Sequence, residues 1–107
     1  MPEEVPIACT LTNAELPGRI AAARALGADA LVGLEVAERN ALLRFRGERE
    51  RVDALVAAEQ QCCAFFDFGL RERRDLVELE IRTPEGGEPI LRGLVAAVVA
   101  GWEDNAR

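Results

Sequence analysis

Three cysteines carry most of the chemistry open to this chain, and two of them are adjacent. The stretch Glu59-Gln60-Gln61-Cys62-Cys63-Ala64-Phe65-Phe66-Asp67-Phe68 sets a sulfur pair behind an acid and against phenylalanines. The third cysteine, Cys9, lies in Ala8-Cys9-Thr10-Leu11-Thr12. Lys, His, Ser and Tyr are absent, so every basic side chain is Arg. Without His or Ser there is no Ser-His or Cys-His pair and no imidazole to hold a metal. Without Lys there is no Schiff base and no P-loop lysine. Sulfur, carboxylates, guanidinium groups, three Thr and the two termini remain.

The stretch from Glu48 to Cys63 has the spacing of a helix. On a wheel of about 100° per residue, Val52, Leu55, Val56 and Cys63 share one stripe, Glu59 falls in its middle and Cys62 at its edge. A carboxylate on a buried stripe is costly unless it is paired, protonated or bound to a cation. Pairing calls for an Arg, with Arg44, Arg71, Arg73 and Arg74 the candidates, and it leaves Cys62 and Cys63 as small core hydrophobes. A cation gives the pair a chemical task. Both cysteines sit at a helix carboxyl end beside an acid, which disfavours a bare thiolate, whereas a bound thiophilic ion deprotonates thiols and welcomes the acid.

Thiolates without imidazole suit a soft metal or metalloid ion: Zn, Cu(I), Hg(II) or As(III), with the identity open. The candidate ligands are Cys9, Cys62, Cys63 and Glu59. Three converging cysteines make a trigonal site, two with Glu59 a mixed one, and Asp67 is a further oxygen donor. Cys9 precedes a helix start that would lower its pKa, unless it packs in a first strand. Two alternatives stand beside metal binding. One is a cysteine/carboxylate enzyme, with Cys9 or the pair acting on a thiol-linked or organometallic substrate and Glu59 or Asp67 as base. The other is a structural or partner-binding module, a homodimer included, whose cysteines are core.

The 107 residues suit a single domain spanning 1–107, and half of them are apolar, enough for a sizeable core. A net charge of −6 opposes nucleic-acid binding. The Arg residues of Arg44-Phe45-Arg46-Gly47-Glu48-Arg49-Glu50-Arg51 alternate with acids, as on a solvated face. No apolar run approaches the ~20 residues of a membrane span, and the amino terminus lacks the pattern of a signal peptide. The expected location is cytoplasmic, with thiols reduced, and an odd cysteine count argues against a disulfide framework.

Residues 5–11 read as a first strand or extended arm. Thr12-Asn13-Ala14-Glu15 has the form of a capping box, and Leu16, Ile20, Ala23 and Leu26 follow at helical spacing up to Gly27, a C-cap candidate. Strands are expected at 31–36 and 41–46, the helix at 48–63, a second hairpin whose turn is 72–75, and a last helix opened by Pro89. The apolar face of that helix is Ile90, Leu91, Leu94, Val95, Val98 and Trp102. The expected fold is therefore α+β: a mostly antiparallel four- or five-stranded sheet with three helices on one face. Its order is helix-hairpin-helix-hairpin-helix, a variant of the ferredoxin-like plan.

Ala8-Cys9-Thr10-Leu11-Thr12 with its Ala/Arg-rich helix, and Glu59 to Phe68, resemble a small bacterial Cys-Cys domain. That domain is found in uncharacterised stand-alone proteins and is similar to segments appended to MerR-type transcription regulators. The resemblance covers most of the chain. It implies a role near metal or thiol stress, with Cys9, Cys62 and Cys63 as the matching positions. The chain has no helix-turn-helix of its own, which removes the DNA-reading half of the likeness.

Overall fold

The computed structural model describes residues 16–105, excluding the side chains of residues 16, 17, 62, 104 and 105. Seven elements follow in order: α1 (Leu16–Ala30), β1 (Leu31–Val36), β2 (Asn40–Arg46), α2 (Arg49–Cys62), β3 (Asp67–Arg73), β4 (Leu76–Arg82) and α3 (Glu88–Asn105). The architecture is α+β, with three helices and one four-stranded antiparallel sheet of order β1-β2-β4-β3. The fifth strand considered for residues 5–11 lies outside the described residues. No described helix is long and apolar enough to cross a membrane.

Alternation builds the sheet. Ala41, Leu43 and Phe45 of β2 are opposite Ile81, Leu79 and Val77 of β4, and all six are buried. Leu42, Arg44, Glu78 and Glu80 occupy the intervening positions. One face is therefore apolar, and the helices cover it through Ala23, Leu26, Val52, Leu55, Leu91, Val95 and Val98. The other face is open and charged, with Arg44 bonded to Glu35 at 2.6 Å and to Glu78 at 3.1 Å. The mixed run that begins at Arg44 is thus ion-paired along its length, since Arg49 meets Asp53 and Glu72, and Arg51 meets Asp29 and Glu48.

Several boundaries differ from expectation for identifiable reasons. The second turn is only Arg74-Asp75, with Arg74 at φ 58°, the positive φ that tight hairpin loops demand. Asn40 belongs to β2, and the Ala37 amide bonds its carbonyl at 2.8 Å to close the first turn. Gly47 and Glu48 both have positive φ, 68° and 58°, so α2 begins at Arg49, one residue later than expected. α3 begins at Glu88, leaving Pro89 in the first turn, where no amide is missed.

Gly27 is not a C-cap. The helix runs three residues past it, and a Cβ at Gly27 would lie 1.9 Å from the Val98 carbonyl oxygen of α3. Gly101 of α3 answers it, because a Cβ there would lie 1.8 Å from the Arg24 carbonyl oxygen. The two glycines let α1 and α3 touch backbone to backbone. Ile20 and Trp102, both expected on inward faces, are exposed at 47% and 45%; Gly101 is the residue turned to α1, which sets Trp102 about 100° round the helix from that contact.

Candidate functional site

The paired cysteines sit where α2 stops. Cys62 is its last residue, and Cys63 leaves the helical region at φ −122°, ψ 71° while its amide still bonds the Glu59 carbonyl at 2.6 Å. The Cys63 carbonyl then accepts the Phe66 amide at 3.0 Å, which turns the chain back toward β3. Phe65 and Phe66 are carried into the core by that turn. Their rings meet edge to face with centroids 4.7 Å apart, and Phe66 meets Phe68 at 5.9 Å. Phe65 packs close over Gly87, where a Cβ would lie 2.9 Å from the ring and 1.9 Å from the Thr83 hydroxyl oxygen.

The helical wheel places Glu59 as observed. Val52, Leu55, Glu59 and Cys63 are all buried, and Glu59 is the one buried carboxylate among the described residues. Its partner is Arg19, whose guanidinium reaches across from α1 and donates to the carboxylate Oε2. None of the four candidate arginines fills this role: Arg44, Arg71 and Arg73 belong to the sheet, and Arg74 to a turn at its end. The side chains of Arg19 and Glu59 retain 20% and 11% exposure, so the pair lies at the margin of the core and water screens it little.

The Cys63 side chain is 2% exposed and belongs to the apolar cluster. Burial pushes its thiol pKa up, and the Arg19 guanidinium pulls it part of the way back. A buried thiol with a raised pKa is a poor nucleophile. Positive charge nearby is nevertheless what a thiolate or an anionic thiolate complex would need.

Of the sequence-derived ligands, the structure brings Glu59 and Cys63 to one buried face, one helical turn apart. Cys9 and the Cys62 side chain lie outside the described residues. Among the described residues no group of three or more Cys, His, Asp or Glu converges on one point. Asp67 is exposed at the start of β3, opposite Arg82. Arg19 is the site residue that sequence reasoning missed. Its one signal was its place on the same helical stripe as Ala23 and Leu26, four and seven residues further on.

The open face of the sheet holds a cleft of about 460 Å³ whose lining includes Leu42, Arg44, Arg71, Glu78 and Arg82. Its charges are largely cross-paired, Arg44 and Arg73 with Glu78 and Arg82 with Glu80. Compared with known proteins, the chain matches no protein family, no curated protein and no solved structure.

Proposed function

We propose that this chain binds a soft metal or metalloid ion through Cys62 and Cys63, with Cys9 as a third sulfur and Arg19–Glu59 as the charged element beside them. One observation carries the reading. The only buried carboxylate among the described residues shares a face with Cys63 and brings an arginine to the thiol. Two or three thiolates around Cu(I), or three around Zn(II), bear net negative charge. In a poorly solvated corner an adjacent guanidinium offsets that charge. In this form Glu59 acts mainly by holding Arg19, and becomes a direct ligand only if Arg19 turns away. The likeness to the Cys-Cys domain supports the same three sulfurs. In architecture we relate the chain to the ferredoxin-like plan by its antiparallel sheet with helices on one side. The β1-β2-β4-β3 order, made by joining two hairpins, is where it departs.

The test is native mass spectrometry of the reduced, full-length protein offered Zn(II), Cu(I), Hg(II) and As(III) one at a time. A tight stoichiometric adduct is expected, lost in Cys62→Ser and in Cys63→Ser and weakened in Arg19→Gln. Retained binding in both serine variants would overturn the proposal.

A second reading has its own support. Cys63 packs within the apolar cluster and Arg19 already neutralises Glu59, as in a structural or partner-binding module. No adduct beyond slow capture by exposed thiols would establish that reading. Burial raises the Cys63 pKa, which disfavours the thiolate that catalysis would need.

A further inference from the structure

Four of the five exposed large hydrophobic residues among those described lie on or beside one sheet edge: Val32, Leu34 and Val36 of β1, exposed at 45%, 36% and 51%, and Trp102, which lines a hollow with Leu31 and Val32. β1 is an edge of the four-stranded sheet. Such an edge offers unpaired backbone groups, and soluble proteins blunt it with Lys, Pro or inward charge. β1 has no Lys and no Pro, and its one charged residue, Glu35, lies on the open face, bonded to Arg44.

We propose that β1 is the interface of a symmetric homodimer, in which the β1 strands of two copies pair antiparallel about a two-fold axis at Leu34. The backbone supports this register. Ala37 bonds Asn40 across the first turn, so the antiparallel alternation points the amides and carbonyls of Glu35 and Gly33 toward β2. The amides and carbonyls of Leu34 and Val36 therefore point outward. With the axis at Leu34, the two Leu34 residues form a hydrogen-bonded pair, and Val36 of each copy faces Val32 of the other. Leu34 and Val36 lie on the helix side of the sheet, opposite Leu43 and Ala41 of β2. The bulge between Leu31 and Gly33 interrupts the alternation of β1, which limits regular pairing between copies to Val32–Val36.

Charge complementarity selects the same register. On the open face, Glu35 of each copy falls opposite Gly33 of the other. Gly33 has no side chain, and the space above it is taken by Arg44, whose Cδ and Nη1 lie 3.4 and 3.5 Å from where a Cβ would stand. Each Glu35 is thus set beside the other copy's Arg44 as well as its own, and no like charges face each other. An isologous contact needs one patch that complements itself, and this strand provides apolar against apolar and acid against base.

The experiment is sedimentation velocity of the full-length chain over a concentration series, with far-UV circular dichroism confirming the fold of each variant. The wild type is expected to be a dimer, and Leu34→Lys a folded monomer. Glu35→Arg and Arg44→Glu, each of which sets like charges across the axis, are expected to weaken the dimer. The double variant Glu35→Arg/Arg44→Glu is expected to restore it. A dimer unaffected by Leu34→Lys, or weakened equally by the single and double charge variants, would overturn the proposal. So would a monomeric wild type. If hydrogen exchange in that monomer found slow amides at Leu34 and Val36, the edge would belong to another segment of this chain.

Discussion

The two faces of the sheet use the same pair of chemical groups to different ends. On the helix side, Arg19 and Glu59 form an ion pair between α1 and α2 at the margin of the apolar cluster. On the open side, Arg44 is shared between Glu35 and Glu78, and Arg73 and Arg82 extend the lattice. The difference lies in what surrounds each pair. An ion pair in water is screened and replaceable, whereas a pair near the core leaves a stranded charge when one partner is removed. The helix side therefore carries the structural risk and the candidate chemistry together. The open side provides solubility and tolerance.

The sharpest way to break this contrast is to remove Arg19. Arg19→Met should destabilise the fold by about 3–5 kcal/mol in urea unfolding, because Glu59 is left buried without a partner. Arg19→Met with Glu59→Met should recover most of that loss. If the double variant were as unstable as the single one, the pair would not be the source. Gly27→Ala comes next. Its methyl would collide with the Val98 carbonyl, so α1 and α3 must separate, at about 1–3 kcal/mol by the same measurement.

A smaller effect follows from Cys63. Its raised thiol pKa means that the folded state keeps a proton which the unfolded state releases first. That contribution to stability is complete below the ordinary thiol value of 9.0 and is lost as pH rises through the higher folded value. Urea unfolding from pH 8 to 10.5 should show a decline that is shallower in Cys63→Ala. The smallest effect belongs to the open face: Arg44→Gln should shift the midpoint far less than Arg19→Met, and added salt should narrow what difference there is. Equal losses from Arg44→Gln and Arg19→Met would erase the distinction between the faces.

Much of this contrast was legible in the sequence, because both faces are written in local periodicity. Leu43 and Phe45 alternate with Arg44 and Arg46, and Val77, Leu79 and Ile81 with Glu78, Glu80 and Arg82, which fixes what each strand presents to the helices. The wheel that put Glu59 among Val52, Leu55 and Cys63 needed only the helical repeat. Its partner was not legible. Arg19 lies 40 residues away on another helix, and how α1 sits over α2 depends on packing that no short window records. Gly27 misled for a related reason: a glycine late in a helix reads as a stop until the carbonyl of Val98 is seen against it. The exposure of Trp102 follows from the same crossing. The sulfur site was legible as a pairing of Glu59 with Cys63, and the convergence of Cys9 with them depends on residues outside those described.

The meeting of Gly27 with Val98 and of Gly101 with Arg24 also bears on the order in which the molecule is made. α1 is the first described element to emerge during synthesis and α3 the last, so the contact that seats α1 against α3 closes only after all four strands have been made. Contacts so distant along the chain form late and slow folding. The α1 that carries Arg19 to Glu59 is thus held by contacts drawn from both ends of the described chain.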